Sequence, residues 1–403
     1  MDGKKILISP LNWGFGHAGR MLALALALRR KGHKVIFGVD KSLIPLIENE
    51  MPGTEFISIP GMRIRYSRFL PQYLCVILQL PGIIASSIRE HYTLRRVAAS
   101  LGPDIIISDS RFGLFHKEIV SVYITHQLRI AFPRSLRFLE PLGVWLHRKI
   151  IRKYDLCLIP DYPGPENLSG RLSHQLPLPS NAHYMGPLSR FLRTAREADD
   201  TFYTGSISKF PVKEPADSNE FIPDRPYCCL VLSGPEPQRS LLLLKVMAAV
   251  KDLPLVILTV TPLPPGTDVA RDVTVITGPD TPAMLSLVTG SAMVIARAGY
   301  SSVMELASLG KGAVLIPTPG QTEQEYLGRH LNGRHGFVTV RQNELEREVS
   351  NHMKAVSESI NQPATLFERI NPMASGHESN TALPDSSPLL EKALSLLLQH
   401  NKK

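Results

Sequence analysis

The sequence predicts an α/β protein with two parallel β-sheets, each covered by helices on both faces. The first observation is the length of 403 residues, which exceeds one ordinary domain and suits two. The second is a series of short apolar runs that alternate with helical segments up to about residue 190. The third is that the same alternation restarts near residue 226, after a polar and irregular stretch. Two such units in tandem are therefore expected.

The first unit contains five strand signals that alternate with helical segments. The segment AGRMLALALALRRKG predicts a helix that closes at Gly32, and TLRRVAASLGPDIIISDS predicts a helix, a Gly-Pro stop and a strand that ends near Asp109. The predicted buried strands are KILIS, HKVIFGV, EIVSVYITHQ and YDLCLIPD. We assign residues 1–190 to this first domain.

The second unit repeats this organisation. Residues 226–358 form the predicted second domain, and residues 191–225 are expected to be a linker or an irregular insertion. Residues 359–403 are expected to be a partly disordered tail that ends in an amphipathic helix, PLLEKALSLLLQHNKK. The predicted strands of the second domain are YCCLVLSG, PLVILTV, DVTVITG, SAMVIARAG and GAVLIPT.

The charge of the chain indicates an anionic partner. The formal net charge is +9 and the sequence pI is about 9.4, which suits a nucleotide or a phospholipid surface. No recognition motif accompanies the charge, so nucleic acid is not an expected partner. The four cysteines lack paired C-x-x-C spacing, which predicts buried, reduced thiols and no zinc site. No signal peptide is visible, and we expect a cytoplasmic protein.

An uncharged stretch of the first domain has two interpretations. The segment FLPQYLCVILQLPGIIASSI, residues 69–88, is long enough to reach the lower range of a spanning helix, but its prolines and glutamines argue against spanning. It is either a loop followed by a core helix or an apolar face that rests in anionic headgroups on the inner side of a membrane. The arginines that flank the stretch are Arg63, Arg65, Arg68 and Arg89.

The glycine-rich turn after the first strand raises the question of a dinucleotide. Gly14, Gly16 and Gly19 spell G-x-G-x-x-G, which is typical of a Rossmann dinucleotide turn. Four residues separate this turn from the strand, however, and His17 lies at the start of the following helix. A dinucleotide turn has no need of an imidazole there, whereas an acid–base reaction does. A dehydrogenase is therefore a weaker hypothesis than an acid–base enzyme.

The most informative segment is ARAGYSSVMELASLGKGAVLIPTPGQTEQEY, residues 296–326. Arg297 and Gly299 follow a predicted strand, and Ser301 and Ser302 are expected to cap a helix whose N-terminus can hold a diphosphate. Glu305 lies one turn further, where a carboxylate can accept hydrogen bonds from a ribose diol. The loop PTPGQTEQE carries the amides and carboxylates that suit the hydroxyls of a sugar.

At these residues the sequence resembles the family-28 glycosyltransferases of GT-B fold, including those that add N-acetylglucosamine to a lipid-linked peptidoglycan precursor. Residues 297–305 match the family pattern R-S-G-A-x-T-x-x-E with Gly299 and Glu305 retained. Residues 317–326 match P-x-x-x-x-x-x-Q-Q-Y with Gln324 retained and Glu325 in place of the second glutamine. The resemblance implies that Glu305 binds the ribose and that Gln324 and Glu325 contact the donor sugar.

Two shorter matches extend the resemblance to the first domain. GFGHAGR resembles the family's glycine-rich turn with its histidine, and GPLSR resembles the segment whose arginine, here Arg190, approaches the diphosphate. LSGPEPQ stands where the second domain's opening turn is expected, and either Ser233 or Gly234 faces the phosphate. The donor-binding residues so implied are Gly16, Arg190, Ser233, Gly234, Arg297, Gly299, Ser301, Ser302, Glu305, Gln321, Gln324 and Glu325.

The resemblance implies a GT-B fold, in which two Rossmann-like domains face each other across a cleft. The expected function is inverting, metal-independent transfer of N-acetylglucosamine or another hexose from a UDP-sugar to a lipid-linked or glycan acceptor, with no cofactor. His17 is the expected base, and Asp109 either orients it, contacts the acceptor or caps a turn. The expected acceptor-side residues, each of which also has a structural interpretation, are Asn12, Arg111 and His126.

Two other functions fit the same sequence. A UDP-sugar 2-epimerase uses this scaffold and would favour extra carboxylates in the cleft without an apolar surface at residues 69–88. A non-catalytic protein that binds a nucleotide sugar or a membrane is the other alternative, because Glu325 and the SGPEPQ turn depart from the family pattern.

Overall fold

The computed structural model describes residues 3–12, 15–61, 72–191, 226–250, 254–270, 272–349, 383–400 and 402. The described residues form two parallel sheets with helices between their strands, which confirms the predicted α/β class. The predicted linker falls almost entirely on residues 192–225, and the tail before the terminal helix falls on residues 350–382. Both lie outside the described residues.

The N-terminal sheet has seven strands among the described residues, in the order β3-β2-β1-β4-β5-β6-β7. The order of the strands reverses between β1 and β4, and the carboxyl ends of strands at such a reversal form the crevice where α/β proteins bind ligands. The strands are β1 Lys5–Ser9, β2 Lys34–Val39, β3 Glu55–Ser58, β4 Ile105–Asp109, β5 Val120–Ile124, β6 Leu156–Ile159 and β7 Ala182–Tyr184.

The helices of this domain follow its strands as βαβ units require. Gly32 and Gly102 have φ values of 82° and 57° just after two of the helices, in the left-handed region that glycine adopts without strain. The helices are α1 Phe15–Arg30, α2 Ile44–Glu50, α3 Gln72–Leu78, α4 Leu80–Leu101 and α5 Glu140–Ile151, with short 3₁₀ turns at Lys41–Leu43, Arg134–Leu139 and Gly170–Leu172.

The C-terminal sheet has six strands among the described residues, in the order β10-β9-β8-β11-β12-β13. Its order reverses between β8 and β11, which predicts a second ligand crevice at the carboxyl ends of these strands. The strands are β8 Cys228–Leu232, β9 Leu255–Thr259, β10 Val273–Thr277, β11 Met293–Ala296, β12 Ala313–Leu315 and β13 Phe337–Thr339. The helices are α6 Gln238–Ala249, α7 Thr281–Gly290, α8 Tyr300–Ser308 and α9 Thr322–Leu331.

The terminal helix α10, Ser387–Gln399, returns to the N-terminal domain. It packs beside β7, its Leu394 and Leu397 are buried in the hydrophobic core, and Lys31 of α1 forms an ion pair with Glu391 at 2.7 Å. The terminal helix was predicted, and its apolar stripe is covered by the first domain.

The uncharged stretch of the first domain forms α3 and the start of α4. Leu78, Ile84 and Ile88 are 70%, 60% and 55% exposed, whereas Leu94, later in α4, is fully buried. The start of α4 therefore does not fit the core-helix interpretation, and the buried Leu94 lies beyond the uncharged stretch. Residues 62–71, which include three of the four flanking arginines, lie outside the described residues. Within the described ranges, no helix combines the length and hydropathy that crossing a membrane requires.

The four cysteines, which lie among the described residues, are buried free thiols, as predicted. Burial raises the pKa of Cys157 and of Cys229 to about 12, so both stay protonated.

Candidate functional site

Three polar side chains of the N-terminal domain meet where β1, β4 and β5 end. His17 lies in the first turn of α1, Asp109 is the last residue of β4, and His126 follows β5. The Nδ1 atom of His17 is 2.9 Å from Oδ2 of Asp109. The structure thus brings together the two residues that the sequence suggested as base and orienting carboxylate.

Arg20 is a fourth member of this cluster, and the sequence analysis missed it. Its side chain is 1% exposed, and its guanidinium binds both carboxylate oxygens of Asp109, with Nε donating to Oδ2 at 2.8 Å. Its Nη2 is 2.8 Å from Nδ1 of His17, and its Nη1 is 3.2 Å from Nδ1 of His126. The available signal was spacing, since residues three apart share a helix face and Arg20 precedes a strongly apolar run.

The pKa values of His17 and Asp109 are both lowered in this cluster. Burial and the adjacent Arg20 lower the pKa of His17 below its ordinary value. Burial alone would raise the pKa of Asp109, but Arg20 and His17 outweigh it and hold that pKa well below its usual range. Near neutral pH, Asp109 is therefore ionised and His17 is neutral, which is the state that a general base requires.

The C-terminal domain contributes two side chains to the same cluster. Oε1 of Glu323, in the first turn of α9, is 2.9 Å from Nε2 of His126. The ring of Tyr300 stacks on the ring of His126 with centroids 4.2 Å apart, and its hydroxyl donates to the carbonyl oxygen of Pro160 at 2.6 Å. Burial would raise the pKa of Glu323, but His126 outweighs it and the pKa is lowered. The two domains are therefore joined at the predicted site.

Tyr300 and Glu323 were also missed as site residues, although both lie inside the segment 296–326 that the sequence singled out. Their roles depend on side chains of the other domain, and no local pattern of residues reveals which side chains those are. His126, by contrast, was predicted on the acceptor side and lies at the junction of the two domains.

Helices α1 and α8 lie side by side, with their N-termini at the same end. A Cβ atom added to Gly16 would be 2.7 Å from Cβ of Ser301, and one added to Gly19 would be 3.5 Å from Oε1 of Glu305. Only glycine at position 16 permits so close an approach. The partial positive charges of two helix N-termini are thereby concentrated at one place, which favours an anion.

The start of α8 differs from the predicted cap. Gly299 is the N-cap residue and makes no side-chain hydrogen bond to the helix, while Ser301 and Ser302 lie inside the first turn. The expectation that these serines cap the helix is therefore wrong, because the chain becomes helical two residues before Ser302. The first N–H groups of α8 are left without a side-chain acceptor from its N-cap residue.

The two residues most firmly expected at the donor bind each other. Nε of Arg190 donates to Oε1 of Glu305 at 2.9 Å, and the side chains are 12% and 15% exposed. Arg190 therefore reaches from the end of the N-terminal domain to the helix α8 that carries Glu305. The pair lies beside α1, since Glu305 also faces Gly19.

The loop after β12 is shaped by the side chains that were expected to contact the donor sugar. Oε1 of Gln324 accepts from the N–H of Thr318, and Oε1 of Glu325 accepts from the N–H of Gly320, both at 2.8 Å. Gln321 is the N-cap residue of α9 and makes no side-chain cap bond. The glutamine that the family pattern has at position 325 could accept the same hydrogen bond through its side-chain oxygen.

Arg297 has a structural environment. It is 2% exposed, and its guanidinium donates to the carbonyl oxygen of Gln238 at 2.7 Å and to Oε1 of Gln342 at 2.7 Å. Burial lowers its pKa to about 10. These contacts join α6 to the end of the C-terminal sheet and favour a structural role over the predicted donor contact.

Arg111 is likewise held inside its own domain. It forms an ion pair with Glu90 of α4 at 3.0 Å and donates to Oγ of Ser9 and to the carbonyl oxygen of Ile59. The predicted acceptor contact is therefore not favoured, since Arg111 is 3% exposed and its guanidinium also donates to the carbonyl oxygen of Pro60, which makes four groups of the fold that engage it.

The remaining predicted residues lie at loop positions beside the two sheets. Nδ2 of Asn12 donates weakly to Oγ of Ser42 at 3.4 Å. Ser233 and Gly234 follow β8, at the reversal of the C-terminal sheet, and Gly234 is exposed with a φ of 102°. Trp13 and Gly14 of the glycine-rich turn lie outside the described residues.

Comparisons with known proteins agree with this architecture. Residues 272–379 match the glycosyltransferase family 28 C-terminal domain. An uncharacterized glycosyltransferase of Methanosarcina acetivorans is 25% identical over 354 residues, which cover 80% of this chain and 81% of the relative.

Two solved structures have the same fold at low sequence identity. The glycotransferase of kitacinnamycin superposes with a TM-score of 0.59 at 14% identity, covering 98% of both chains. The spinosyn rhamnosyltransferase SpnG, solved in complex with thymidine diphosphate, superposes with a TM-score of 0.56 at 16% identity, covering 97% of this chain and 100% of that one. The fold is therefore GT-B, and the family and relative matches support a glycosyltransferase.

Proposed function

We propose that this GT-B protein transfers N-acetylglucosamine or another hexose from a UDP-sugar to a lipid-linked or glycan acceptor, with inversion and without a metal. The observation that carries the proposal is the meeting of two features at one junction. His17 and its ionised partner Asp109 lie on the N-terminal side, and the paired N-termini of α1 and α8 lie beside the Arg190–Glu305 pair.

His17 is the base in this proposal. Transfer of a glycosyl group passes through an oxocarbenium-like state, and the acceptor hydroxyl must lose its proton as it attacks the sugar. A neutral imidazole whose Nδ1–H is held by Asp109 presents Nε2 as the proton acceptor. Direct attack from the side opposite the diphosphate inverts the anomeric carbon.

Arg190 and the helix N-termini stabilise the leaving group. The departing UDP gains negative charge on its diphosphate, which fixed N–H dipoles and a guanidinium can stabilise without a metal ion. Binding of the nucleotide would separate the Arg190–Glu305 pair, so that the guanidinium binds the diphosphate and the carboxylate accepts from the ribose diol. Each charged group then exchanges one partner for another, which keeps the cost of separation small.

An exposed apolar face beside the site supports a lipid-linked acceptor and peripheral attachment to an anionic membrane. The loop that follows β4 is flanked by α4 and α5, because Gly113 touches Ser87 and the ring of Phe112 lies 5.8 Å from the ring of His147. Trp145 of α5 is 51% exposed. The exposed apolar residues of α4, of α5 and of the turn before α5, which we together call the α4–α5 face, are Leu80, Ile84, Ile88, Phe138, Leu142, Trp145 and Leu146.

Basic residues border this face on α5 and the turn before it. Nζ of Lys149 lies 3.7 Å from the centroid of the Trp145 ring, so the cation and the indole share one surface. Cations beside exposed apolar side chains are typical of surfaces that rest in anionic headgroups. The neighbouring basic residues are Arg134, Arg137, Arg148, Arg152 and Lys153. Such a face also distinguishes the transferase from the 2-epimerase, which has no use for it.

Ligand-dependent melting temperatures test the donor assignment. UDP, UDP-N-acetylglucosamine and UDP-glucose should each raise the melting temperature, because a ligand at about 100 times its Kd stabilises the folded state by about 2.7 kcal/mol. Glu305→Gln should lose most of this shift, since an amide cannot accept both hydroxyls of the ribose as a carboxylate does. Glu344→Gln, at an exposed carboxylate of the same domain, should keep it.

The same titration separates the alternatives. Stabilisation by NAD and not by UDP compounds would refute the transferase and favour a dehydrogenase. Stabilisation by thymidine diphosphate but not by UDP would refute the uridine donor. Release of UDP from a UDP-sugar only in the presence of a polyprenyl-linked or saccharide acceptor would distinguish transfer from epimerisation and from binding alone.

A further inference from the structure

Two neighbours of His17, Asp109 and Arg20, require opposite protonation states of the same ring nitrogen. Nδ1 of His17 lies 2.9 Å from Oδ2 of Asp109 and 2.8 Å from Nη2 of Arg20. A ring nitrogen has either a proton to donate or a lone pair to accept, and a guanidinium can only donate. The two contacts are therefore mutually exclusive as hydrogen bonds, and each specifies a different tautomer.

The two tautomers differ in what they can do. If Nδ1–H donates to Asp109, the lone pair lies on Nε2 and the ring can take a proton there. If Arg20 donates to Nδ1, the proton lies on Nε2 and the ring cannot act as a base at that atom.

The surrounding contacts favour the first tautomer. In the second, the Nδ1 lone pair and the Asp109 carboxylate would face each other at 2.9 Å without a proton between them. In the first, the Nη2 group of Arg20 keeps its bond to Oδ1 of Asp109 and has Oγ of Ser110 at 3.4 Å as a further acceptor. Both the carboxylate and the guanidinium therefore stay satisfied.

We propose that Arg20 is a positioning residue for His17: by binding both oxygens of Asp109 it keeps the imidazole neutral and directs its free lone pair to Nε2. The inference rests on the proposed role of His17 as the base. A carboxylate whose charge is not shared with another cation favours the imidazolium form of an adjacent histidine, and an imidazolium already holds the proton that the base must take. Arg20 prevents this, because its charge neutralises that carboxylate.

The other charged groups around His17 do not replace Arg20. Those that face it are Arg20 from α1, Asp109 from β4, His126 from the loop after β5 and Glu323 from α9. The carboxylate of Glu323 is engaged by His126, with Oε1 of Glu323 2.9 Å from Nε2 of His126. Arg20 is thus the cation whose removal changes the balance at His17, in accord with the lowered pKa of that histidine.

Nitrogen-resolved NMR of the histidine side chains tests the proposal on the full chain without any ligand. The chain has 13 histidines, and the spectrum of His17→Gln identifies the signals of His17. In the wild type near neutral pH, long-range proton–nitrogen correlations should show a neutral ring with the proton on Nδ1. A wild-type ring with the proton on Nε2, or a charged ring, would overturn the proposal, and this measurement needs no Arg20 variant.

Two variants then test the charge. In Arg20→Gln the titration midpoint of His17 should rise by about one to three units, because Asp109 then acts on His17 unopposed. Arg20→Lys, which keeps the charge, should hold the midpoint below that of Arg20→Gln. Equal midpoints in the wild type and a folded Arg20→Gln would contradict the proposal, since a residue that only fills space would not move them.

These readouts are independent of the donor experiment. If His17 titrates as expected and no UDP-sugar raises the melting temperature, the proposed function fails while the role of Arg20 stands. If UDP-sugars stabilise the protein and the midpoint of His17 does not respond to Arg20, only the positioning role is lost.

Discussion

At the scale of single residues, the positive charge of Arg20 and the negative charge of Asp109 offset each other at the centre of the site. Asp109 is fully buried and has Arg20 and His17 as partners. These contacts stabilise its negative charge in the interior and hold the side chains of both partners in place. His17 itself stays partly exposed, with 18% of its side chain accessible.

The first prediction concerns His17 itself. His17→Ala should lower turnover by about 10²- to 10⁴-fold, the range typical of a lost general base, while the affinity for the nucleotide changes little. Turnover is measured as UDP release with acceptor present, and affinity by calorimetry with UDP. His400→Ala, after the terminal helix, is the matched control and should behave like the wild type. Full activity of His17→Ala would show that the base lies elsewhere.

How far the sequence could predict the site also depends on the residue. His17, Asp109 and Glu305 were predicted because His17 lies in the first turn of a helix, Asp109 ends a strand and Glu305 lies one turn inside a helix, where sequence order determines position. Arg20 was missed because its partner Asp109 is 89 residues away, and only the closed sheet brings them together. Glu323 and Tyr300 were missed because their partners belong to the other domain.

At the scale of elements, the sequence predicted the helices and strands that carry a strong apolar pattern and missed the shortest strands. Helix α1 and strands β1, β2 and β4 were predicted, since each carries a long apolar pattern. The edge strands β3, β7 and β13, of three or four residues, were not predicted, because so few residues give no period. The place where α10 packs could not be predicted either. An apolar stripe indicates that one side of a helix must be buried, but not which part of the protein buries it.

Helix α5 carries a prediction about pH. Burial lowers the pKa of His147 to about 4, and its Nε2 lies 3.1 Å from the hydroxyl of Tyr123. Because the folded pKa lies below the ordinary value of 6.5, the unfolded chain takes up the proton first. The contribution to stability is complete above about pH 6.5 and falls as the pH drops towards 4; at about pH 5 the loss is about 2 kcal/mol.

The variant His147→Phe should not show the loss of folding stability at acid pH that the protonation of His147 causes. Urea unfolding of the wild type and the variant, each at about pH 7.5 and about pH 5, gives the four free energies of unfolding that are needed. The difference between the two pH values should be about 2 kcal/mol smaller in the variant. An unchanged difference would mean that His147 is charged in the folded protein.

The α4–α5 face carries a prediction about membranes. Leu142→Ser should weaken the binding to vesicles rich in phosphatidylglycerol, measured by sedimentation, by about 10- to 100-fold, since burying one leucine is worth about 1.5 to 3 kcal/mol. Leu142 and Leu244 are 53% and 57% exposed, so Leu244→Ser in the C-terminal domain is a matched control. Equal losses in both variants, or no binding of the wild type to anionic vesicles, would refute attachment through this face.

At the scale of the whole molecule, the two domains are joined by a small number of side chains with polar partners. The hydroxyl of Tyr326 accepts from the N–H of Arg171 at 2.7 Å, and Oγ1 of Thr322 donates to the carbonyl oxygen of Ala131 at 2.7 Å. Together with His126 and Glu323, these bonds all involve α9. Helix α9 is therefore, together with α8, an element through which the C-terminal domain contacts the N-terminal domain.

The close approach of α1 and α8 can be tested from both sides. Gly16→Val should separate the two helices, because the added Cβ would lie 2.7 Å from Cβ and Oγ of Ser301. We expect a larger radius of gyration in X-ray scattering and a lower turnover. Removing the opposing side chain in Gly16→Val/Ser301→Gly should restore much of both. A double variant as impaired as Gly16→Val would mean that the valine acts within α1, on the turn that precedes it, and that the contact between the domains does not control the site.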